Sequence, residues 1–376
     1  MTTPDIREIA RRERAVATFA GVRAHGVREC VDVLAEPHRV AAGGWWAVSG
    51  DFSGRVRAWR FEHVERGRGA GDDGGHPGDP SHWRGPDPGA WSSSMSRARY
   101  EDAVSATRAA IREGDVYQAN ICRVLSAPLP VDADGAEPDA LALAARLAAG
   151  NPAPFAGTLH VPGGAGVPPA WIVSASPELF VRLEDGRLTS SPIKGTATEA
   201  SGLTAKDRAE NVMITDLVRN DLQRVCVPGT VDVTALLAVE QHPGLVHLVS
   251  TVTGVLEPDV RGAPGMWGRI LEATYPPGSV SGAPKSSALR TIDALEPVDR
   301  GPYCGAFGWI DADAGRAELA VAIRTFWWDP ADGGVLRFGT GAGITWDSDP
   351  AAEWAETELK ARRLVAIASS GPDWAP

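Results

Sequence analysis

The stretch that decides the fold begins with Trp171-Ile172-Val173-Ser174, continues with Leu179-Phe180-Val181-Arg182-Leu183 and ends with Ser190-Ser191-Pro192-Ile193-Lys194-Gly195-Thr196. The first two runs are short, apolar and rich in β-branched and aromatic residues, which predicts two strands. Strand and helix patterns follow each other here and elsewhere without the regular alternation that builds a parallel sheet. The sequence therefore favours an α+β fold over a doubly wound one.

Helices and strands are also predicted on both sides of this stretch. Apolar residues at helical spacing, followed by Gly114, predict a helix over 100–113. A second helix is predicted over 139–149, and the pair Asp349-Pro350 is a good start for a last helix. Further strands are predicted over 45–48, 56–61, 116–125, 245–252, 305–310 and 319–327.

The chain is predicted to have three parts. Residues 1–65 form a short N-terminal section that contributes strands, and residues 100–368 form the catalytic domain. Between them, residues 66–99 are rich in Gly, Pro, Asp and Ser. Such a composition buries too little apolar surface to order a chain, so a flexible loop is predicted there.

Composition excludes several classes of protein. The chain has 376 residues, of which 43% are hydrophobic, and a net charge of -11, which indicates a globular protein without a basic face for nucleic acid or anionic membrane. Its cysteines have neither metal-ligand spacing nor a disulfide framework, and there is no apolar leader or spanning segment. We therefore expect a cytoplasmic protein with reduced thiols, no nucleic-acid partner and no membrane association.

Lys194 is the most informative single residue. A lysine amine whose pKa is lowered by burial or by a nearby cation can act as a nucleophile and form a transient covalent adduct. The alternative is a lysine that only pairs with a substrate carboxylate, a role that needs no tuned amine.

Two acidic pairs are candidates for a metal site. Asp207 and Glu210 are three residues apart, as are Glu353 and Glu356, so each pair lies on one face of a predicted helix. If the two faces meet, their carboxylates can hold a hard divalent cation such as Mg²⁺. Either pair alone is also compatible with a solvated helix face, and Glu356 with Lys360 is compatible with a simple ion pair.

Two further segments are candidates for binding an anion. The run Gly339-Thr340-Gly341-Ala342-Gly343-Ile344 follows a predicted strand, and its glycines would let backbone amides converge on a carboxylate. Arg324 alternates with apolar residues along 319–327, beside small residues that leave room for a bidentate carboxylate. A tight turn and a solvated edge-strand arginine are the plainer interpretations.

Taken in order, these segments resemble the chorismate-utilising family, which contains anthranilate, aminodeoxychorismate, isochorismate and salicylate synthases. The resemblance covers about residues 100–364. The matching runs are 114–120, Ser176-Pro177-Glu178-Leu179-Phe180, Pro192-Ile193-Lys194-Gly195-Thr196, 207–221, His247-Leu248-Val249-Ser250, 278–285, Tyr303-Cys304-Gly305-Ala306, Gly341-Ala342-Gly343 and the last acidic helix. The fold this implies has antiparallel β-sheets packed as a sandwich, with helices on the outside.

The resemblance implies a role for each candidate. Glu210 and Glu356 would be the principal Mg²⁺ ligands, with Glu353 and Asp207 beside them, although the family more often has glutamate where this chain has Asp207. Glu178 would be the general acid that protonates the departing C4 hydroxyl of chorismate, and His247 would lie near that hydroxyl. The implied substrate-binding residues are Arg324, Tyr303, Gly341, Ala342, Gly343, Thr196 and Lys360.

Two positions select an activity within the family. Members that use water as nucleophile resemble isochorismate synthase and have a lysine base where this chain has Gln118. Glutamine cannot take a proton from water, so ammonia is the better nucleophile. Lys194 replaces the alanine of anthranilate synthases and resembles the aminodeoxychorismate synthase branch, in which the amine adds at C2 before ammonia enters at C4.

The source of ammonia is the remaining inference. No cysteine lies in a glycine-rich elbow of the glutaminase type, so a separate glutamine amidotransferase subunit is expected to deliver it. The alternatives are an anthranilate synthase or other aminochorismate synthase, and a non-catalytic subunit that binds chorismate. No counterpart of the family's tryptophan-binding segment is recognisable in the N-terminal section.

Overall fold

A computed structural model describes residues 5–67, 78–197, 199–242 and 245–371 of the chain. The described helices are α1 (Ile6–Arg14), α2 (Pro37–Ala41), α3 (Arg97–Glu113), α4 (Ala140–Gly150), α5 (Ala205–Gln223), α6 (Met266–Thr274), α7 (Gly278–Ser281), α8 (Lys285–Leu295) and α9 (Pro350–Ala368). Among these described helices, none combines the length and the apolar character needed to cross a membrane.

The strands fall into three groups along the chain. The N-terminal group is β1 (Val16–Phe19), β2 (Val22–Asp32), β3 (Trp45–Gly50) and β4 (Val56–Arg66). The middle group is β5 (Ser92–Ser93), β6 (Gln118–Pro128), β7 (Phe155–Val161), β8 (Ala170–Ser176), β9 (Leu179–Glu184), β10 (Arg187–Ser191), β11 (Ile193–Ala197), β12 (Asp232–His242) and β13 (Leu245–Val255). The last group is β14 (Gly282–Ala283), β15 (Ala306–Asp311), β16 (Arg316–Val321), β17 (Thr325–Asp329) and β18 (Val335–Ile344).

All of these strands belong to one curled, antiparallel sheet. Its pairings run β6-β18-β17-β8-β7-β1 through one half and β2-β4-β3-β15-β16-β9-β10-β13-β12 through the other. The two halves are joined where β1 pairs with β2, with Val16 opposite His25. The N-terminal strands β1 and β2 therefore connect the two halves of the sheet.

The two halves of the sheet pack face to face. One buried cluster takes Leu159 and Ile172 from the first half together with Trp45 and Phe307 from the second. The rings of Phe19 and Phe307 lie with their centroids 5.2 Å apart across this interior. Burial of these large apolar side chains is the main force that holds the halves together. The predicted α+β sandwich is confirmed.

Helices cover the outer faces of both halves. A second buried cluster places Ile214 and Val218 of α5 against strands of the second half, and a third places Leu364 and Ile367 of α9 against strands of the first. The two acidic helices are thus fixed on different halves of the sheet. Whether their carboxylates meet depends on how the halves pack.

Most predicted elements are present, with shifted ends. The helix predicted over 100–113 is α3, which ends at Gly114 in the left-handed conformation with a φ of 85°. Asp349 caps α9 by accepting a hydrogen bond from the Ala352 amide. The strand predicted over 319–327 is wrong in one respect, because it is two strands, β16 and β17, interrupted at Ala322, Ile323 and Arg324.

The segment predicted as a flexible loop, 66–99, differs from the structure in its second part. Residues 68–77 lie outside the described residues. From Gly78 onward the chain is packed: Trp83 is buried, and its indole N–H donates to the Ala368 carbonyl at 2.7 Å. A single large aromatic side chain here supplies apolar burial that the overall composition of the segment does not indicate.

Candidate active site

The glycine-rich run 339–344 is part of strand β18, so the turn predicted there is wrong. Successive side chains of a strand point to opposite faces, and Gly339, Gly341 and Gly343 therefore share one face. A Cβ on these glycines would overlap the Tyr303 ring, the Cys122 thiol and the Gln118 amide, respectively. The glycines are explained by this close packing against one face of the strand.

Lys194 and Gln118 meet at the last of these glycines. A Cβ built on Gly343 would lie 3.2 Å from Lys194 Nζ and 3.4 Å from Asn120 Oδ1, in addition to its overlap with the Gln118 amide. Gln118 is buried, and its Oε1 has no hydrogen-bond partner among the described residues. The Lys194 amine and an amide oxygen without a hydrogen-bond partner among the described residues thus lie together beside Gly343, where the lack of a side chain leaves room for Gln118.

A second glycine fixes Lys194 against helix α5. Gly195 has a φ of 87°, a conformation that favours glycine, and a Cβ there would lie 2.8 Å from Cβ of Asp207. Strand β11 therefore passes directly over the first turn of α5. This contact brings the amine on the strand close to the carboxylates on the helix.

Glu178 lies between β8 and β9 and is buried, with 3% of its surface exposed. Its Oε1 has no hydrogen-bond partner among the described residues. Burial raises the pKa of this carboxyl to about 7, against the opposing effects of a hydrogen bond from Ser279, the charge of Lys194 and the Ile193 amide. The group can therefore exist as the acid at neutral pH, as the role of proton donor requires.

The raised pKa of Glu178 gives a test that does not depend on activity. The folded protein binds the proton more tightly than the unfolded chain, so stability is lost as pH rises from the ordinary value of 4.5 through about 7. We expect Glu178→Gln, which stays neutral, to be more stable than wild type at pH 8 by up to about 3 kcal/mol. Urea unfolding at pH 4.5 and pH 8 measures this. A difference independent of pH contradicts the assignment.

Lys206 links the two acidic helices. Its Nζ lies 3.7 Å from Glu210 Oε1 on α5 and 3.3 Å from Glu353 Oε1 on α9. Burial raises the pKa of Glu210. The charges of Glu353 and Asp207 raise it further, and those of Lys194 and Lys206 oppose the rise. The faces of the two helices therefore meet, and one cation already contacts a carboxylate of each.

Glu356 and Asp207 already have protein partners. Glu356 Oε1 pairs with Lys360 Nζ at 2.7 Å, and Lys360 also donates to the Gly341 carbonyl at 2.9 Å. Burial raises the pKa of Glu356, but the charge and hydrogen bond of Lys360, together with the charges of Lys194 and Lys206, outweigh burial and leave the pKa below its ordinary value. Asp207 closes the N-terminal capping box of α5, where its Oδ2 accepts from the Thr204 amide at 2.8 Å.

The chemistry of these carboxylates suits a hard divalent cation. Glu210, Glu353 and Glu356 offer oxygen ligands from two helices, and the charge of Lys194 opposes the effect of burial on the pKa of both Glu210 and Glu356. No three of the carboxylates of Asp207, Glu210, Glu353 and Glu356 bring ligand oxygens within 4.8 Å of one another. An ion shared by both helices therefore requires Lys206 to move and the carboxylates to close around it.

Arg324 lies at the break between β16 and β17. Its φ is 53°, and its backbone carbonyl accepts from the Ala175 amide, so the simple alternation predicted along 319–327 ends at Val321. Burial lowers the pKa of the guanidinium, and no hydrogen bond or ion pair of that group is seen within the described part of the chain. A half-buried arginine in this state is suited to binding an anion.

The other predicted substrate residues are placed as follows. Tyr303 is buried, and burial, with the thiols of Cys304 and Cys122, raises the pKa of its phenol well above the ordinary value. His247 is buried on β13, paired with Thr196 of β11. The side chain of Thr196 lies outside the described residues.

The sequence of this chain matches the model of one protein family. The model of the chorismate-binding enzymes matches residues 75–366, more than half of the chain. This chain is a member of that family. The matched range includes Lys194, Glu178, helix α5 and most of helix α9.

Two similar members of the chorismate-binding family have different names. The chain is 38% identical over 288 residues to aminodeoxychorismate synthase component 1 of Salmonella typhimurium, covering 73% of this chain and 59% of that protein. It is also 38% identical over 283 residues to anthranilate synthase component 1 of Saccharolobus solfataricus, covering 72% and 62%. The chain spans about 60% of the length of these relatives.

Solved structures show the same fold. An isochorismate synthase from Bacillus anthracis superposes with a TM-score of 0.75 at 21% identity, covering 94% of this chain and 96% of that one. Anthranilate synthase component I from Streptococcus pneumoniae gives a TM-score of 0.71 at 22% identity, with coverage of 97% and 94%. At this identity the likeness establishes the architecture of the chorismate-binding enzymes and no particular reaction.

Two residues of this site were not predicted from the sequence. Lys206 precedes Glu210 by four residues, a spacing that indicates an ion pair but gives no sign of a contact with Glu353, 147 residues away. Ser279 donates a hydrogen bond that lowers the pKa of Glu178. It lies in the run 278–285, which served only as evidence of the family resemblance. In both cases the partner is distant in the sequence, so local spacing could not identify it.

Proposed function

We propose that this chain catalyses the Mg²⁺-dependent amination of chorismate at C4, which gives 4-amino-4-deoxychorismate. The second substrate is ammonia, delivered by a separate glutamine amidotransferase subunit. The observation that carries the proposal is the position of the Lys194 amine beside Gln118, where both side chains lie against Gly343. A primary amine next to a side chain that cannot act as a base suits covalent catalysis followed by attack of ammonia.

In the first half-reaction, the nitrogen lone pair of Lys194 bonds to C2 of chorismate, the two conjugated ring double bonds shift, and the bond from C4 to its hydroxyl oxygen breaks. Glu178 donates its proton to the departing oxygen, which leaves as water. Because burial raises the pKa of Glu178 to about 7, the carboxyl can hold this proton at neutral pH. The adduct nitrogen carries a positive charge, and Glu178 becomes a carboxylate.

In the second half-reaction, ammonia bonds to C4, the two ring double bonds shift back and the bond from C2 to Lys194 breaks. Lys194 leaves as a neutral amine, and the Glu178 carboxylate takes up the proton that the incoming nitrogen loses. The sum is chorismate plus ammonia giving 4-amino-4-deoxychorismate plus water. Gln118 takes no proton, so water is not activated at this position.

Mg²⁺ and Arg324 are proposed to bind the two negatively charged carboxylates of chorismate. Glu210, Glu353 and Glu356 would hold Mg²⁺, which would supply positive charge to neutralise a substrate carboxylate and orient the ring. Arg324 is suited to the other carboxylate, because its half-buried guanidinium gains most from an anionic partner. The net charge of -11 makes such local cationic groups necessary for binding an anion.

The partner subunit is supported by the names of the relatives. The Salmonella typhimurium protein is named component 1 of its synthase, which implies a second component. The described thiols of Cys122, Cys226 and Cys304 are buried, and burial raises the pKa of Cys122 and Cys226. Those two thiols are thus poor candidates for a glutaminase nucleophile, which needs a thiolate.

A product assay tests the proposal. Purified protein with chorismate, MgCl₂ and an ammonium salt is expected to form 4-amino-4-deoxychorismate, identified by mass, without release of pyruvate. Anthranilate with an equal amount of pyruvate as the main products would instead establish the activity for which the Saccharolobus solfataricus relative is named. Binding of chorismate without any turnover, with or without glutamine and an amidotransferase, would establish a non-catalytic subunit.

A further inference from the structure

We propose that Glu13, His25 and His63 form a binding site for a divalent transition-metal ion such as Zn²⁺, separate from the active site. Each of these residues offers a ligand atom, and the three atoms all lie within 4.8 Å of one another. Two imidazoles and one carboxylate are a ligand set that binds Zn²⁺ and leaves a position for water. Nitrogen ligands also favour Zn²⁺ over the Mg²⁺ that suits the acidic helices.

The pairing of strands β2 and β4 brings the two histidines together. His25 and His63 are direct cross-strand partners, so their side chains lie on the same face of the sheet. Their rings are stacked, with centroids 4.7 Å apart and planes 30° apart. Ligands of a tetrahedral zinc ion at about 2.1 Å lie roughly 3.4 Å from each other, so small side-chain rotations complete the site.

Glu13 reaches the histidines because Gly26, which lies between its carboxylate and the His63 ring, has no side chain. Gly26 follows His25 with a φ of 76°, and a Cβ there would lie 3.3 Å from both Glu13 Oε2 and His63 Cδ2. The Gly26 amide also donates to the Ala15 carbonyl at 3.3 Å, which holds the end of α1 over the hairpin. A larger side chain at this position would crowd the carboxylate and the imidazole.

The acidic side chains near His25 and His63 are too distant to hydrogen-bond to their rings, so both imidazoles can bind a metal ion. His25 Nε2 is 4.0 Å from Glu65 and His63 Nε2 is 3.8 Å from Glu62, both longer than a hydrogen bond. Glu13 has no ion pair among the described residues. Arg14, Arg23 and Glu65 line the adjoining surface, where Arg23 is the cross-strand partner of Glu65.

Titration calorimetry with ZnCl₂ tests this site. Excess MgCl₂ keeps carboxylate sites filled, and a non-thiol reductant keeps the cysteines reduced. We expect one Zn²⁺ to bind wild type, and the affinity to fall by at least about tenfold in each of His25→Gln, His63→Gln and Glu13→Gln. The matched control is His82→Gln, because His82 is exposed and its one ion pair within the described part of the chain is with Asp79, at 3.8 Å.

Two further readouts separate loss of a ligand from loss of the fold. Each variant is expected to keep the far-ultraviolet circular dichroism of wild type, since none of the substituted side chains is fully buried. Co²⁺ in place of Zn²⁺ is expected to give visible absorption bands that disappear in the three variants and persist in His82→Gln. The proposal is overturned if wild type does not bind Zn²⁺, or if any one of the three variants binds it as tightly as wild type.

Discussion

Replacing Lys194 by alanine is expected to lower the rate of 4-amino-4-deoxychorismate formation by about 10³-fold or more, because the substitution removes the nucleophile that splits the reaction into two easier steps. The Gly343 backbone and the Gln118 amide that surround this amine remain in place. The rate of product formation at saturating chorismate, Mg²⁺ and ammonium measures the effect.

Lys194→Arg is the control that distinguishes a nucleophile from a charge. Arginine keeps the positive charge but is not a nucleophile, because its guanidinium stays protonated at any working pH. We expect it to be as slow as the alanine variant. Activity near that of wild type in Lys194→Arg would show that this residue only pairs with a carboxylate. Mass spectrometry without ammonia adds a direct test, since only wild type should gain the mass of chorismate less one water.

Replacing Glu210 by glutamine is expected to raise the Mg²⁺ concentration for half-maximal activity by at least about tenfold, and Glu356→Gln is expected to do the same. An amide keeps the shape of the side chain but loses the charge that attracts a hard cation. The effect on turnover at saturating Mg²⁺ is expected to be smaller than the effect on the metal titration. Activity at graded MgCl₂ concentrations measures both.

Asp216→Asn is the matched control for these variants. Asp216 is on the same helix as Glu210, but its side chain is 76% exposed and pairs with Arg219. We expect its Mg²⁺ titration to equal that of wild type. A shift of the same size in Asp216→Asn would indicate a general electrostatic effect of helix α5. An unchanged titration in Glu356→Gln would remove that residue from the ligand set.

The metal and the lysine between the helices are expected to compete. Lys206 Nζ contacts Glu210 and Glu353, and these carboxylates raise the pKa of Lys206 in spite of its burial. If Mg²⁺ binds between the helices as proposed, it would have to displace this ion pair. Part of its binding free energy would then offset the cost of moving the ammonium group away.

Local patterns in the sequence were sufficient for several of the elements. The helix before Gly114 and the helix after Asp349 were predicted because the cap residues and the apolar spacing act over a few residues. The strand 319–327 was predicted as continuous because its apolar alternation is continuous. The break at Arg324 depends on the Ala175 amide, which is far away in the sequence.

The glycine run 339–344 shows how the same residues can fit two structures. Three glycines in alternation indicate a turn when only the local sequence is considered. In the structure they lie on one face of β18 because Tyr303, Cys122 and Gln118 pack there. The packing partners come from other segments, so the sequence pattern could not distinguish the two.

By itself, the sequence determined the α+β class, the positions of the helix caps and the pairing of acidic residues on two helices, because these depend on contacts between near neighbours in the chain. Only the tertiary structure decided that α5 and α9 face each other through Lys206, that Lys194 meets Gln118, and that burial raises the pKa of Glu178 to about 7. These features depend on how the two halves of the sheet pack. That packing is the sum of many long-range apolar contacts, and no short stretch of sequence contains it.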